Sequence, residues 1–411
     1  MRLAAVASAL AMLAALSFAL SGCGGVEVSG AASAIGDQLT VYSSLPLQGP
    51  TAAESAQIVN GEKLALSQAG GHVGPFKVSY VSEDDSSPTS GQWAPGVTAA
   101  NAKTAAEDTS TIAYLGDYNS AATAVSLPLI NAAGIPQVSP ASPYVGLTSS
   151  LDAGQDEPER FYPSGRRTFA RLQPGDPAQA AAQVALMRSM GVHKLYVLND
   201  QDPFEIPLAQ IVAGDAERAG ITVAGDDALD MTGSTLFTGE VEKVSESGAQ
   251  AVFFAGGGGA ATAALWRQLH HTDPGLLLLG SSAMATQSFT SQIGGAGSST
   301  YLTTPLLAVG LYPPSAARML AEYHREFGGE AGPYALYGYE AMSVVLDAIR
   351  SAGSRGNNRE AVTERLLGMR NRDSVLGRYS IEPDGESTLS PYGVDRVLDG
   401  RPVFYRAVAV P

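Results

Sequence analysis

Few residues in this 411-residue chain have the types and spacing that nucleophilic or metal chemistry needs, since it contains five His and one Cys. His270 and His271 are adjacent, so they would point to different faces of a helix and could not easily bind one metal ion. The hydrolase pattern G-x-S-x-G and the zinc pattern H-E-x-x-H are both absent from the sequence. We therefore expect a protein without catalytic residues and without a metal site.

A run of four glycines, Gly256–Gly259, follows a predicted strand and opens a predicted helix, which is the setting of a dinucleotide-binding loop. The match is weak, because no G-x-G-x-x-G pattern lies at the first strand of either repeating block and no Walker-type Gly-Lys-Ser/Thr occurs. The sequence therefore predicts no cofactor. Gly257 is a candidate for close approach of the backbone to a bound solute, with simple turn flexibility as the alternative.

The overall composition indicates a globular protein that does not bind nucleic acid. Hydrophobic residues make up 45% of the chain and charged residues 16%, which excludes a disordered, collagen-like or coiled-coil protein. With 25 Lys plus Arg against 40 Asp plus Glu, the formal net charge is −15, so most of the surface would repel phosphate backbones. At roughly 150 residues per domain, the length predicts two or three folded units.

The N-terminal segment has the layout of an export signal: Arg2, an apolar run from Leu3 to Leu20, and then small residues. A run of this length could also span a bilayer permanently. Leu20-Ser21-Gly22-Cys23 resembles the bacterial lipobox, which favours a lipoprotein signal peptide over residues 1–22 and lipidation of Cys23. A free Cys in an uncleaved helix is the alternative. Residues 23–38 are rich in Gly, Ser and Ala and predict a flexible tether, and no internal disulfide is expected because Cys23 is the only cysteine.

From Leu39 onward, short apolar runs alternate with amphipathic stretches, a pattern typical of parallel strands joined by crossover helices. The pattern occurs in two blocks, the second of which begins near Thr168, and after about Leu306 it becomes mostly helical. Residues 152–165 interrupt the pattern and predict an exposed inserted loop. We expect an α/β protein with two doubly wound lobes, whose strand-to-helix loops border a cleft for a small molecule.

An ordered set of segments resembles the type I periplasmic-binding-protein family, in particular its Leu/Ile/Val-binding branch. In chain order the segments are SSLPLQGP, VSEDDSSP, IAYLGDYNSAAT, PLINAAGIPQVSPAS, LYVLNDQDPF, VFFAGG and ALYGYEAMSVVLDAI. The resemblance covers about Leu39 to Asp399 and implies two Rossmann-like lobes joined by a three-strand hinge, with the chain crossing near Gln173, near Pro305 and once more late in the sequence. Lobe 1 would comprise residues 39–173 plus 306–385, and lobe 2 residues 174–305 plus 386–411.

The resemblance also implies that a ligand carboxylate is held by a Ser at the start of the helix after the third strand, and by the loop after the fourth strand. The matching residues are Ser120, with Tyr118 and Asn119 beside it, and Ala141 with Ser142. Unpaired amides and the helix dipole favour an anion at such a position. Ser120 or Asn119 acting only as an N-cap is the alternative. Pro143 stands where relatives often have Thr, so one expected ligand contact is missing.

In the second lobe, Phe204 matches an aromatic lid residue of the family, with core packing as its alternative. Ser282 stands where amino-acid-binding members carry a Glu that neutralises the ligand's ammonium, and a Ser cannot replace that charge. Two alternatives stay open: the ligand has no amino group, or another acid meets the ammonium, such as Glu83, Asp84, Asp117 or Glu340. Aromatic side chains near the cleft mouth favour a hydrophobic or aromatic carboxylate, although each is more often packing; they are Trp93, Tyr118, Tyr144 and Phe204.

These expectations combine into a lipid-anchored solute-binding protein of an ABC importer, located at the extracytoplasmic face of a bacterial cell membrane and without catalysis or cofactor. It would act as a monomer with two partners. The first is a small carboxylate, such as a branched-chain or other amino acid or an aromatic or organic acid, and the second is a membrane permease that recognises the closed form. A ligand-sensing module for a signalling protein is the first alternative, and an extracytoplasmic enzyme is the second.

Overall fold

The computed structural model describes residues 33–410 except residues 35, 234, 330 and 391. The predicted signal peptide at 1–22, the predicted lipidation site Cys23 and most of the predicted tether lie outside the described residues. The sequence predicts a flexible tether over residues 23–38. Ala34 lies within this range but is buried, and its amide donates to the Asn357 carbonyl oxygen at 2.7 Å, so the prediction is wrong for this residue. Within the described part, no helix is both long enough and apolar enough to cross a membrane.

The first part of the described chain builds a six-stranded sheet with the order β2-β3-β1-β4-β5-β6. Its elements in chain order are β1 (Gln38–Leu45), α1 (Ala52–Gln68), β2 (His72–Val73), β3 (Phe76–Asp84), α2 (Pro95–Glu107), β4 (Thr111–Gly116), α3 (Ser120–Ala132), β5 (Gln137–Ser139) and β6 (Phe169–Arg171). All neighbouring strands are parallel except the β2–β3 pair. Parallel neighbours need crossover connections, which α1, α2 and α3 supply.

The middle of the chain builds most of a second sheet. Its elements are α4 (Asp176–Ser189), β7 (Lys194–Asn199), α5 (Ile206–Arg218), β8 (Thr222–Ala228), α6 (Thr238–Ser247), β9 (Ala251–Ala255), α7 (Ala260–Thr272), β10 (Leu277–Gly280), α8 (Gln287–Thr290) and β11 (Thr300–Thr304). The strands β7 to β11 are parallel to their neighbours. This sheet is the core of the second lobe.

The last part of the chain contributes to both lobes. It contains α9 (Pro314–Phe327), α10 (Pro333–Ala352), α11 (Arg359–Leu367), β12 (Arg372–Asp373), β13 (Arg378–Tyr379), β14 (Tyr392–Leu398) and β15 (Arg401–Val408). The helices α9 to α11 join the core of the first lobe, whereas β14 and β15 add antiparallel strands to the second sheet, whose order is β15-β14-β11-β10-β9-β7-β8. The chain therefore passes between lobes after β6, after β11 and before β14. This architecture confirms the predicted α/β fold of two doubly wound lobes.

The strands of the second lobe are apolar on both faces because helices cover both. Leu195 and Val197 of β7 pack with residues of α4 and α5. Tyr196 and Leu198, which point to the opposite face, pack with residues of α6 and α7, including Trp266. Strands buried on both faces read as continuous apolar runs in the sequence. That is why the strands could be located from the sequence.

The insertion at residues 152–165 differs from the prediction of an exposed loop. Phe161 and Tyr162 are only 3% and 5% exposed, and the Tyr162 hydroxyl donates to the Leu147 carbonyl oxygen at 2.7 Å. The Tyr144 hydroxyl donates to the buried carboxylate of Glu157. Long-range contacts therefore anchor the segment to the protein, and the prediction is wrong for these residues.

Candidate functional site

A cleft of about 180 Å³ lies where loops from both lobes meet. Its walls come from the start of α3, the loops after β5 and β7, and the loop after β10. A cavity of about 150 Å³ is enough to admit benzene, so the space suits a small molecule. The predicted site residues that line the cleft are Trp93, Tyr118, Asn119, Ser120, Ala141, Phe204 and Ser282.

Two other predicted site residues, Ser142 and Gly257, do not line the cleft. The Ser142 hydroxyl donates to the Asp117 carbonyl oxygen at 3.0 Å and shares a 2.7 Å hydrogen bond with the Thr123 hydroxyl. The Gly257 amide donates to Asp200 Oδ2 at 2.8 Å. Ser142 therefore holds the loop after β4 in place, and Gly257 fixes the turn that follows β9.

Helix α3 begins at the cleft without a side-chain cap. Asn119 occupies the N-cap position, but its side chain accepts no hydrogen bond from the helix amides. Ser120 Oγ instead accepts a hydrogen bond from the Tyr144 amide at 3.2 Å. Since no described residue accepts from the amides of Ser120 and Ala121, the helix presents free donors and the positive end of its dipole to the cleft.

Buried polar contacts fix the loop that leads into α3. Asp117 is fully buried, and its backbone carbonyl oxygen accepts a hydrogen bond from the Ser139 hydroxyl at 2.8 Å. The Ser126 hydroxyl donates to the Asp117 carboxylate. Burial and the nearby negative charge of Asp85 raise the pKa of the Asp117 carboxyl well above its usual range. Asp117 is therefore part of the scaffold behind the helix start and not a wall of the cleft.

Arg171 connects the loop after β5 to the end of lobe 1, and sequence reasoning missed it. Its guanidinium is fully buried and donates from Nη1 to the carbonyl oxygens of Ser142 at 2.7 Å and Tyr144 at 2.9 Å. Its Nη2 forms an ion pair with Glu386 Oε1 at 2.7 Å. A buried guanidinium with this many partners fixes its surroundings, because any lost partner would leave an unpaired buried charge. Arg171 thus positions the backbone that carries Ala141 and Tyr144.

Aromatic side chains close two sides of the cleft. Tyr144 of lobe 1 and Phe204 of lobe 2 form an edge-to-face pair with ring centroids 5.0 Å apart. Tyr118 lies beside Tyr334 of α10, with a 3.0 Å hydrogen bond between the two hydroxyls and 5.7 Å between the ring centroids. Phe204 therefore both lines the cleft and contacts Tyr144 of the other lobe.

The four acids that were candidates for an ammonium partner lie elsewhere, since none of them lines the cleft. Asp84 accepts hydrogen bonds from the Leu47 amide at 3.0 Å and the Gln48 side chain at 2.7 Å. Glu340 forms an ion pair with Arg372, Asp117 is buried behind α3, and Glu83 lies at the end of β3. Ser282 does line the cleft, and its hydroxyl donates to Gln179 Oε1 at 3.2 Å.

Three carboxylates that sequence reasoning missed line the cleft instead: Asp176, Asp202 and Glu205. Burial raises the pKa of Asp176 to about 7. Burial also raises the pKa of Glu205 well above its usual range, with a further contribution from the negative charge of Asp176. The cluster of acids in Asp200–Glu205 could have indicated that Glu205 belongs to the site. Asp176 gives no such indication, because an acid at the first position of a helix is common. The described part of the chain holds no group of three or more His, Cys, Asp or Glu that could bind a metal ion.

Comparison with known proteins agrees with this fold. A Leu/Ile/Val-binding protein homologue of Brucella melitensis is 25% identical over 383 residues, which cover 90% of this chain and 95% of the relative. The crystal structure of a leucine-binding protein from Thermotoga maritima superposes with a TM-score of 0.74 at 21% identity, over 90% of this chain and 99% of that one.

A substrate-binding protein of a branched-chain amino acid transporter from Streptococcus pneumoniae, solved with isoleucine, superposes with a TM-score of 0.71 at 16% identity, over 91% of this chain and 99% of that one. The sequence model of the family described as "Periplasmic binding protein" matches residues 43–400, which is most of the chain. The resemblance inferred from the sequence is confirmed: the chain belongs to the periplasmic binding protein family, with the type I fold of its Leu/Ile/Val-binding members.

Proposed function

We propose that this protein is the extracytoplasmic solute-binding lipoprotein of an ABC importer and that it captures a small carboxylate in the cleft between its lobes. The observation that carries the proposal is the start of α3, where Ser120 and two amides that donate to none of the described residues border the cleft. The relatives described above bind leucine and isoleucine, which supports a carboxylate-bearing solute of similar size. Cys23 would anchor the protein to the membrane.

The chemistry at Ser120 suits an anion. A carboxylate oxygen placed at the helix start would accept from the Ser120 and Ala121 amides and from the Ser120 hydroxyl, whose oxygen accepts from Tyr144 and whose hydrogen is therefore available. Hydrogen bonds to a charged group contribute about 1.5–3 kcal/mol each. The favourable end of the helix dipole adds about 0.3–1 kcal/mol. These contributions are large enough to orient a small ligand.

Transport requires that the solute stabilise one arrangement of the lobes over another. A ligand that contacts α3 in lobe 1 and Phe204 in lobe 2 interacts fully only when the lobes are together, so it favours the closed form. The Tyr144–Phe204 pair, which already joins the lobes, would be part of that closed surface. A permease that binds the closed form better than the open form would then receive the loaded protein. No chemical step on the solute is needed.

A thermal-shift screen of the purified protein tests this proposal. We expect amino acids or small organic acids to raise the melting temperature, because a ligand at 100 times its Kd stabilises the folded state by about 2.7 kcal/mol. Ser120→Ala should reduce the affinity for the same ligand by about 10- to 100-fold, as one hydrogen bond to a charged group is lost. Ser245→Ala, on the exposed side of α6, is the matched control and should not change the affinity.

Two results would contradict the proposal. If no amino acid or organic acid shifts the melting temperature, the cleft does not bind this class of solute. If ligands bind but Ser120→Ala leaves their affinity unchanged, the carboxylate is held elsewhere.

A further inference from the structure

Tyr144 is held by lobe 1 at three points. Its amide donates to Ser120 Oγ at 3.2 Å, and its carbonyl oxygen accepts from Arg171 Nη1 at 2.9 Å. Its hydroxyl donates to the carboxylate of Glu157. The Tyr144 ring borders the cleft and meets Phe204 of lobe 2 edge to face. Because the two backbone contacts fix where the residue lies, the hydroxyl contact fixes the direction of its ring.

Glu157 belongs to the insertion at residues 152–165, and both of its carboxylate oxygens have partners. Oε2 accepts from the Gly154 amide at 2.9 Å as well as from the Tyr144 hydroxyl, and Oε1 pairs with Arg160 Nη2 at 2.7 Å. The Glu157 side chain is 2% exposed. Burial, the hydrogen bond to Glu157 and the charge of Glu157 raise the pKa of the Tyr144 hydroxyl well above its usual range, so it keeps its proton and remains a donor. A hydrogen bond from a hydroxyl to a carboxylate is stronger than one between neutral groups.

The space at Gly146 shows how closely the two side chains approach the loop after β5. A Cβ at this position would lie 2.1 Å from Glu157 Oε2 and 2.5 Å from the Tyr144 ring. A larger residue would therefore displace one side chain or the other. Glycine at this position admits the contact between Tyr144 and Glu157.

The insertion is fastened to α3, the helix that begins at the cleft. Asn131 of α3 binds the chain where the insertion ends: its Oδ1 accepts from the Ser164 amide at 3.0 Å, and its Nδ2 donates to the Arg166 carbonyl oxygen at 2.8 Å. Phe161 of the insertion and Leu127 of α3 belong to the same buried hydrophobic cluster. The segment that carries Glu157 is therefore tied to lobe 1.

We propose that Glu157 is a positioning residue for lobe closure: it directs the Tyr144 ring toward Phe204 and thereby stabilises the arrangement in which the two lobes meet. Glu157 itself does not line the cleft, so the insertion acts on binding through Tyr144. This inference rests on the closing cleft of the function proposed above and adds a residue that controls it. A Tyr144 ring without its hydroxyl partner has more rotamers available, and ordering it against Phe204 then costs side-chain entropy.

Distance measurements between spin labels on the two lobes test the inference and need no solute. The labels are attached at Ala56→Cys on α1 of lobe 1 and Ala260→Cys at the start of α7 of lobe 2, both exposed positions, in a chain whose Cys23 is replaced by Ser. We expect the ligand-free protein to have a population with the lobes together. Glu157→Gln should lower the ratio of this population to the open one by about threefold, which is within the contribution of an aromatic pair. Glu159→Gln, in the same insertion but 73% exposed, is the matched control and should leave the ratio unchanged.

Two further variants separate positioning from a general structural role. Tyr144→Phe keeps the ring but lacks the hydroxyl, so it should lower the ratio as Glu157→Gln does. In a Phe204→Ala background the Tyr144 ring has no partner on lobe 2, so Glu157→Gln should change the ratio no further.

Four results would overturn the inference. The first is an unchanged ratio in Glu157→Gln, and the second is an equal effect of Glu157→Gln with and without the Phe204 ring, since Glu157 would then act through other contacts. The third is a wild-type protein whose lobes are only apart, and the fourth is failure of both Glu157→Gln and Tyr144→Phe to fold. None of these results bears on the carboxylate site at Ser120, which the thermal-shift screen tests by itself.

Discussion

Replacing Asp176 by Asn is expected to stabilise the ligand-free protein above neutral pH. Burial raises the pKa of Asp176 from its ordinary value of 3.8 to about 7. The positive charge of Arg171 lowers this pKa and the negative charge of Glu386 raises it slightly, but burial has the largest effect. Glu205, which also faces this carboxyl, is negative when ionised and acts in the same direction. A group whose pKa is higher in the folded state holds its proton more tightly there, so its stabilising effect is present at about pH 4 and is lost as pH rises through about 7.

The magnitude follows from the difference in pKa. About three pKa units at about 1.4 kcal/mol each give about 4 kcal/mol of folding free energy that the wild type loses between pH 4 and pH 8. The amide that replaces the carboxyl cannot ionise, and its oxygen can still accept from the Val145 amide. Asp176→Asn should therefore be more stable than wild type by up to about 4 kcal/mol at pH 8 and nearly equal to it at pH 4.

Urea unfolding at pH 4 and pH 8, followed by circular dichroism, measures this difference. The matched control is Asp373→Asn, whose side chain is 86% exposed and whose charge should have little effect on stability. Two results would refute this reasoning: an Asp176→Asn protein that is less stable than wild type at pH 8, or a gain in unfolding free energy that does not increase with pH. Either would mean that the buried Asp176 carboxylate already has a sufficient cationic partner. Residues that line a binding site often reduce the stability of the free protein, so replacing one of them commonly stabilises it.

Two further predictions concern the cleft and its supports. Arg171→Met should lower the unfolding free energy by about 1–3 kcal/mol, because the buried carbonyl oxygens of Ser142 and Tyr144 lose their donor. An unchanged free energy in urea unfolding would contradict the role of Arg171. Phe204→Ala should weaken ligand binding about fivefold, because the Tyr144–Phe204 pair contributes about 1 kcal/mol to the closed form. Calorimetry measures the Kd, and an unchanged Kd would exclude a lid function for Phe204.

The fold could be predicted from the sequence because its signals are local. The apolar runs mark strands buried on both faces, and Ser120, which was expected at the start of the helix after the third strand, is the first residue of α3. Phe204 lies in a turn before α5, where the Asp202 side chain accepts a hydrogen bond from the Phe204 amide at 2.8 Å.

The site could be predicted only in part, because it depends on contacts between distant segments. Ser120 and Phe204 come shortly after strands, and open α/β sheets bind ligands at the carboxyl ends of their strands. The fold class alone therefore indicates these two positions. Asp176 and Glu205 come together only through the hinge, and no local pattern reveals that proximity. The buried Phe161 and Tyr162 were missed for the same reason, since their partners lie outside the inserted segment.

A crystal structure of the protein with the amino acid that gives the largest thermal shift tests the central claim most directly. We predict that the ligand carboxylate lies within hydrogen-bonding distance of Ser120 Oγ and the Ala121 amide. A ligand bound outside this cleft, or one with its carboxylate turned away from the start of α3, would contradict the account.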